Sequence, residues 1–321
     1  MNNRQRNCER GMANFLSLDA PAVARTFQQA GYATAHFGKW HMGGGRDVYE
    51  APTPQAYGFD ESLVSFEGLG ERILPPGGLS EQSERLGKGP TWHVEKYMQT
   101  PIYVDRSIDF IRRNQDKPFY LHLWLNDVHD RHVPSKEQAA KYERFSANPY
   151  QRDFYAVLDA MDEEVGRLID AIDAMGLGEN TIIALTSDNG PTAWPRYYKE
   201  GYEPPGSTAG SRGRKWSLYE GGIRMPFLMR WTGKIPAGKV DETSVVAAVD
   251  LFPTFCALAG VKPPPVEFDG EDRSTVMMGA PSKRTKTLFW DYGRDETYLR
   301  PGKRRPGARI WPSAKAPGSC S

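Results

Sequence analysis

The sequence predicts an α/β fold, and three observations carry that prediction. Strand-like apolar runs alternate with segments of helical periodicity, three of the runs end in polar or ionisable residues, and glycines follow those ends. In open α/β sheets ligands gather at the carboxyl ends of the strands, where a crevice opens between the helices. The organising stretch is YATAHFGKWHMGGG, Tyr32 to Gly45. A short strand-like run, Tyr32 to Phe37, stops at Gly38; Lys39, Trp40 and His41 follow, and then Gly43, Gly44 and Gly45. Lys39 and His41 are read as facing an anionic substrate.

Composition bounds the rest. The chain has 321 residues, 39% hydrophobic and 25% charged, with a net charge of +1. That is ordinary globular make-up, enough for one large α/β domain or a domain and a half. The charge balance gives no sign of a nucleic-acid or membrane-surface partner, and no run approaches the roughly 20 apolar residues of a membrane span. Cys8, Cys256 and Cys320 are odd in number and widely spaced, which is neither a disulfide framework nor a zinc pattern. Cys256, inside LFPTFCALAG, is expected to be a buried small hydrophobe. The opening residues MNNRQRNCER lack the apolar core of a signal peptide, so the chain as it stands is expected to be cytoplasmic.

Taken in order, Asp19 and Pro21 signal a helix start, with Asp19 as the capping side chain. Val23, Phe27 and Ala30 share one face, and Gly31 ends the helix. The opening strand follows. Residues 46–100 read as a long, loop-rich insertion, either a substrate-binding rim or a mobile surface loop. Val104, Ile108 and Ile111 repeat at helical spacing, and FYLHLWL, residues 119–125, reads as a strand that delivers NDVHDRHVP with His129 and His132. Asp153 to Met175 is the clearest helix, with apolar residues at i, i+3 and i+4. TIIALT, residues 181–186, reads as a buried β-branched strand ending in Ser187, Asp188, Asn189 and Gly190. A flexible basic stretch then leads to YEGGIRMP and the strand-like PFLMRW. VVAAVDLFPTFCALAG reads as a strand or strand-helix, and TLFWDYG, residues 287–293, as one further strand.

Singly, each polar strand end has a plain structural explanation. Buried histidines are mostly structural, Asp-Asn-Gly mostly makes turns, and a lysine such as Lys215 in a basic run is mostly solvated. Recurrence points to a site instead: three strands end in Lys/His, His and Asp/Asn, and a glycine-rich cationic loop follows. Asp188 and Asn189 suit a hard divalent cation, which takes oxygen ligands, and do not suit structural zinc. Lys39, Lys215, His41 and His129 together are able to compensate an oxyanion and move protons. That chemistry is metal-assisted transfer or hydrolysis of a phosphate or sulfate ester, and the residues alone leave the two open.

Four ordered motifs then resemble one family. GYATAHFGKWHMGG resembles the G-K-W-H signature of the type I, formylglycine-dependent sulfatases of the alkaline-phosphatase superfamily. LTSDNG resembles their second metal-binding strand end, and RGRKWSLYEGGIRMPFLMRW their K-x₄-E-G-G-x-R-x-P segment. DVHDRHVP resembles the loop of their mid-chain histidine. The resemblance implies an alkaline-phosphatase-like α/β/α sandwich and hydrolysis of a sulfated carbohydrate or aryl sulfate ester. It implies Ca²⁺ held by Asp188 and Asn189, with Lys39 and Lys215 on the sulfate and the nucleophile. His41 would assist collapse of the sulfated diol, and His129 would protonate the leaving oxygen, with His132 as its competitor. A phosphoesterase of the same superfamily and a non-catalytic, ligand-binding remnant are the alternatives.

The chain departs from the family's pattern in two places. The C/S-x-P-S/A-R nucleophile motif that gives the formylglycine is absent, and Cys8 in N-C-E-R-G does not supply it. Two further acidic metal ligands near the family's first strand are also absent, so the chain reads as an N-terminally truncated fragment that is inactive for want of its nucleophile. Residues 1–280 are expected to form the incomplete α/β domain and 281–303 to begin a small C-terminal subdomain. Residues 304–321, without acids or pattern, are expected to be an unstructured, frameshifted tail. The full-length family is expected to be periplasmic or secreted.

Overall fold

The computed structural model describes residues 13–43, 51–65, 69–76 and 78–290, together with Gln5. Helices α1 (Val23–Gln29), α2 (Gly78–Arg85), α3 (Gln99–Arg113), α4 (Lys136–Lys141), α5 (Pro149–Ala174), α6 (Glu220–Ile223), α7 (Ala248–Ala259) and α8 (Ser274–Met277) alternate with strands. The strands are β1 (Ala33–Lys39), β2 (Glu61–Ser65), β3 (Arg72–Leu74), β4 (Thr91–His93), β5 (Phe119–Trp124), β6 (Ile183–Thr186) and β7 (Phe227–Arg230). Five of them form one sheet in the order β4-β3-β2-β1-β5, and every pairing in it is parallel. The α/β expectation is met.

β1 is the axis of the molecule. It pairs Ala35 with Glu61 of β2 on one side and Ala33 with Phe119 of β5 on the other. Flanked by neighbours on both edges and covered on both faces, it has the near-continuous burial typical of a central parallel strand. Its Ala33, Ala35 and Phe37 pack with Tyr103, Phe110 and Ile111 of α3 and Ile172 of α5. The opposite face meets α1, where Phe27 stacks on Tyr120 of β5 at 4.7 Å and shares a cluster with Cys256 of α7. Cys256 is fully buried, as expected. The result is a sheet between two helical layers.

Several local expectations are corrected. The opening strand does not stop at Phe37 but runs through Gly38 to Lys39. Glycine makes this possible: Gly38 has φ +118° and a Cβ there would lie 2.0 Å from the carbonyl oxygen of Trp124 on β5. Asp19 does not cap α1, whose N-cap is Ala22 without a side-chain bond. The described part of residues 46–100 is not only loop, because β2, β3 and β4 all come from it. These strands have three to five residues, too few to show a period, and Leu63, Val64 and Ile73 are fully buried.

The long helix starts earlier than expected, at Pro149. Asn148 caps it, its side-chain oxygen accepting from Tyr150 N at 3.0 Å. β6 is neither long nor buried. It spans four residues with three of them exposed and pairs antiparallel with β7, Ile183 opposite Arg230. α7 replaces the strand or strand-helix expected at 245–260. Residues 287–290 form no strand; the remainder of TLFWDYG and the 304–321 tail lie outside the described residues, as do Cys8, Gly44 and Gly45. Among the described residues no helix is long and apolar enough to cross a membrane.

Candidate active site

The parallel strands deliver their carboxyl ends to one side of the sheet, and the polar residues collect there. At the end of β1, Lys39 reaches Asp188, which follows β6: the ammonium lies 3.7 Å from Oδ2. Asp188 is two-thirds exposed while Lys39 is mostly covered. His41 follows two residues on, exposed and with φ 45°, a left-handed conformation that non-glycine residues adopt chiefly where surrounding structure enforces it. Trp40 between them is buried and anchors the corner against Tyr57 and Phe59. Chain adjacency places His41 beside Lys39.

The Asp188–Asn189 corner and the Lys215 loop are held together through backbone contacts. Gly190 N donates to the carbonyl of Gly222 at 3.1 Å, and Lys215 N to the carbonyl of Pro191 at 2.9 Å. Such proximity demands glycines. A Cβ on Gly221 would stand 2.2 Å from the Gly213 carbonyl oxygen, and one on Gly222 2.4 Å from that of Ser217. The Glu-Gly-Gly segment therefore works by letting backbones touch. Arg214 is no solvated charge; its guanidinium donates to the carbonyls of Thr192, Pro204, Pro205 and Gly206. Trp216, with φ +71°, follows Lys215, whose ammonium lies 5.9 Å from the indole centroid.

His129 completes the group from the loop after β5. Burial pushes its pKa down to about 4, and the positive charges of Lys215, Lys39 and Lys96 push the same way. Its Nδ1 lies 2.8 Å from the carbonyl oxygen of Asp130. A carbonyl only accepts, so Nδ1 carries the proton. His132 points elsewhere, with Nε2 3.2 Å from the Val128 carbonyl and its ring edge-on to Phe154 at 5.2 Å. The structure thus brings Lys39, Asp188, Lys215 and His129 into one electrostatic group.

Several residues of this corner carry no signal in the sequence. Asn126 donates to Gln99 Oε1 at 2.9 Å and to Ser65 Oγ at 3.2 Å, Thr100 bonds buried Asp127, and Tyr198 bonds the side chain of Asp130. Lys96 donates to the carbonyls of His129 and Arg131. Ser65, Lys96, Gln99, Thr100 and Tyr198 come from segments with no motif to mark them, whereas Asn126, Asp127 and Asp130 lie in the NDVHDRHVP loop.

As to a metal, the Asp188 carboxylate and the Asn189 amide oxygen are hard donors of the kind Ca²⁺ takes. A Ca²⁺ site needs about six to eight oxygens, and no cluster of three or more His, Cys, Asp or Glu able to hold a metal occurs among the described residues. The donors fit in kind and fall short in number. The nucleophile fares the same way, since the cysteine among the described residues, Cys256, is enclosed against Phe27 and Val261.

A family-wide sequence profile described as Sulfatase matches residues 2–261. Arylsulfatase G of Rattus norvegicus is 30% identical over 305 residues, an alignment covering 85% of this chain and 56% of that protein. Arylsulfatase A of Homo sapiens is 29% identical over 294 residues, covering 86% of this chain and 54% of its own. Among solved structures, Ps i-CgsB in complex with k-i-k-neocarrahexaose superposes with a TM-score of 0.66 at 27% identity, over 84% of this chain and 60% of the other. The chain thus spans about half the length of the relatives it matches. Sulfatases as a family use a metal ion and a formylglycine. By the profile match across most of its length and by its shared α/β architecture, the chain belongs to the sulfatase family, with the alkaline-phosphatase-like fold.

Proposed function

We propose that this corner binds the sulfate group of a sulfated carbohydrate or aryl sulfate ester, as a sulfuric-ester hydrolase site. The observation that carries this is the convergence of Lys39 and Lys215 on His129, with Asp188 and Asn189 at the next strand end. A sulfate ester carries one negative charge spread over three oxygens, and two ammonium groups compensate it while drawing electron density from sulfur. Hydrolysis breaks the sulfur–oxygen bond to the alcohol, and the departing oxygen needs a proton. His129, held through Nδ1, presents Nε2 for that transfer. An imidazolium formed among three lysines is a strong acid, and the incoming anion offsets the field that opposes its formation. His41 is assigned the release of sulfate, following its motif position beside Lys39.

Ca²⁺ at Asp188 and Asn189 and a formylglycine nucleophile are the finer parts of this proposal. Bound there, a divalent cation supplies positive charge to the sulfate oxygens. The sequence lacks the C/S-x-P-S/A-R nucleophile motif, so this chain by itself is proposed to bind the ester without turning it over. The alternative names of the relatives bear on substrate in the same direction, since they include an N-acetylgalactosamine-6-sulfatase of Canis lupus familiaris.

Calorimetric titration with inorganic sulfate, and an aryl sulfate assay with Ca²⁺, test the two halves separately. Sulfate is expected to bind and the ester to remain intact. Failure to bind sulfate at millimolar concentration sinks the site; measurable turnover sinks the proposed inactivity.

A further inference from the structure

Beyond adding positive charge near His129, Lys96 is given no role above, yet its ammonium bonds two carbonyls of the loop that carries that histidine. It follows β4 in a one-turn helix, Lys96–Met98, that leads into α3. The side chain is half-buried and reaches across to the loop after β5, where it donates to the carbonyl oxygens of His129 and of Arg131, the latter at 2.7 Å. Those two carbonyls bracket the carbonyl of Asp130, and that middle oxygen accepts the Nδ1 proton of His129.

The rest of the loop is tied down around this bracket. Thr100 bonds Asp127, Asn126 is held by Gln99, and the Tyr198 hydroxyl bonds the Asp130 carboxylate. Burial lowers the Lys96 pKa to about 8, while Asp127 and Asp130 favour the charged form, so the ammonium remains mostly protonated at neutral pH. Lys96 and Asp127 also line a cavity of about 10 Å³, space for about one water. Without the ammonium, the carbonyls it serves lose a charged partner.

We propose that Lys96 is a positioning residue for His129: by fixing the carbonyls on both sides of Asp130 it orients the oxygen that sets the imidazole tautomer. The role of Nε2 rests on the sulfatase-site proposal, whereas the tautomer lock does not. A neutral histidine in water exists as a mixture of tautomers; one whose Nδ1–H is claimed by a fixed carbonyl does not. Lys96 thereby acts through another residue and touches no substrate.

Nitrogen-15 NMR of the full chain, with the His129 signals assigned by loss in His129→Gln, reads this directly. The parent protein is expected to show one Nδ1–H tautomer and a titration midpoint near 4. In Lys96→Met both tautomers should appear, and loss of the positive neighbour should raise the midpoint. Lys96→Arg, which keeps charge and donors, should restore the single tautomer. Sulfate affinity should fall about tenfold in the Met variant and recover with Arg. An unchanged tautomer and midpoint in a folded Lys96→Met protein, even one of lowered melting temperature, overturns the proposal. Should the Met variant fail to fold, Lys96→Gln is read by the same criteria. If the parent protein shows the locked tautomer but binds no sulfate, the positioning stands and the sulfatase-site proposal falls.

Discussion

Gly190 and Gly221 are in backbone contact: a Cβ built on Gly190 would lie 1.9 Å from the Gly221 carbonyl oxygen. This contact joins the corner after β6 to the loop that carries Lys215. It explains why a glycine stands at position 190, since a side chain there would push the two segments apart; Gly221 is required instead by its own approach to the Gly213 carbonyl.

Gly190→Ala is therefore expected to cost about 1–3 kcal/mol by overpacking, because the atom in the way is backbone and has nowhere to move. The cost should appear as a lower urea midpoint together with weakened sulfate binding, since Asp188 and Lys215 would separate. Ala substitution at Gly176 is the control. It has φ +72° and nothing within 4 Å, so it should cost stability and leave sulfate affinity intact. Equal loss of affinity in both variants would mean that the Gly190–Gly221 contact does not shape the site.

Lys39 and Lys215 carry the second prediction. A hydrogen bond to a charged group contributes about 1.5–3 kcal/mol, so Lys39→Ala or Lys215→Ala should weaken sulfate binding by about 10- to 100-fold. The fold should tolerate Lys39→Ala, because its partner Asp188 is largely solvated and is not left as a buried charge. Calorimetry on the two single variants and the double variant reads the effect. Affinities that remain within twofold of the parent would place the anion elsewhere.

The main architecture was legible where strands are long and central. β1, β5 and the helices α3 and α5 follow from apolar runs and 3.6-residue spacing, and the strand-end positions of Lys39, His129, Asp188 and Asn189 follow from them. What was hidden has physical causes. β3 and β4 are three residues long, so no period exists to be read, and Arg72 at the start of β3 looks like a surface residue. It is in fact buried, its guanidinium donating to the carbonyls of Gly70, Ser83, Gly87 and Lys88. The β6 sequence reads as buried because β-branched, apolar strands usually are, yet Leu185 is 42% exposed beside a single partner strand. Lys96 was invisible for another reason: its role depends on which carbonyls lie opposite, and a one-dimensional pattern does not encode that.

Acid sensitivity follows from the core histidines. His36 and His122 are register partners across β1 and β5, with rings 5.9 Å apart. Each has a buried Nδ1 without a hydrogen-bond partner among the described residues. Burial, then the charge of His122, lowers His36 to about 3; burial lowers His122 to about 4. Both are neutral in the folded protein at pH 7. In the unfolded chain they titrate near 6.5, so below that pH the unfolded state binds more protons and stability falls as pH drops toward 4. Above pH 7 the contribution is fully present. At pH 5 the loss amounts to about 2 kcal/mol for each histidine, with His129 acting in the same direction. Urea denaturation at pH 7 and pH 5 measures it, and His122→Phe should shrink the difference between the two. A pH-independent urea midpoint over that range would show that these histidines are not buried neutral.

Asp250 and Arg284 provide the last prediction, which concerns how the segment after α8 is held. Asp250 is completely buried in the first turn of α7. Its Oδ2 accepts from Ala247 N at 2.7 Å and its Oδ1 from Glu271 N at 2.9 Å. Arg284 closes the set with a two-pronged contact, Nη2 lying 3.0 Å from Oδ1 and Nη1 bonding Oδ2. Such a pair is not a net source of stability by virtue of its charges alone, because desolvation offsets the attraction, but removing one partner strands the other. Arg284→Met should therefore cost about 3–5 kcal/mol and free residues 282–286, whose contacts with Arg273 and Glu271 are made in the same place. The double variant Asp250→Asn, Arg284→Met removes the stranded charge while the amide oxygen still accepts one backbone N–H, so it should recover part of that loss. If the double variant is as unstable as the sum of its singles, the two residues act independently and the pairing seen in the structure has no energetic weight.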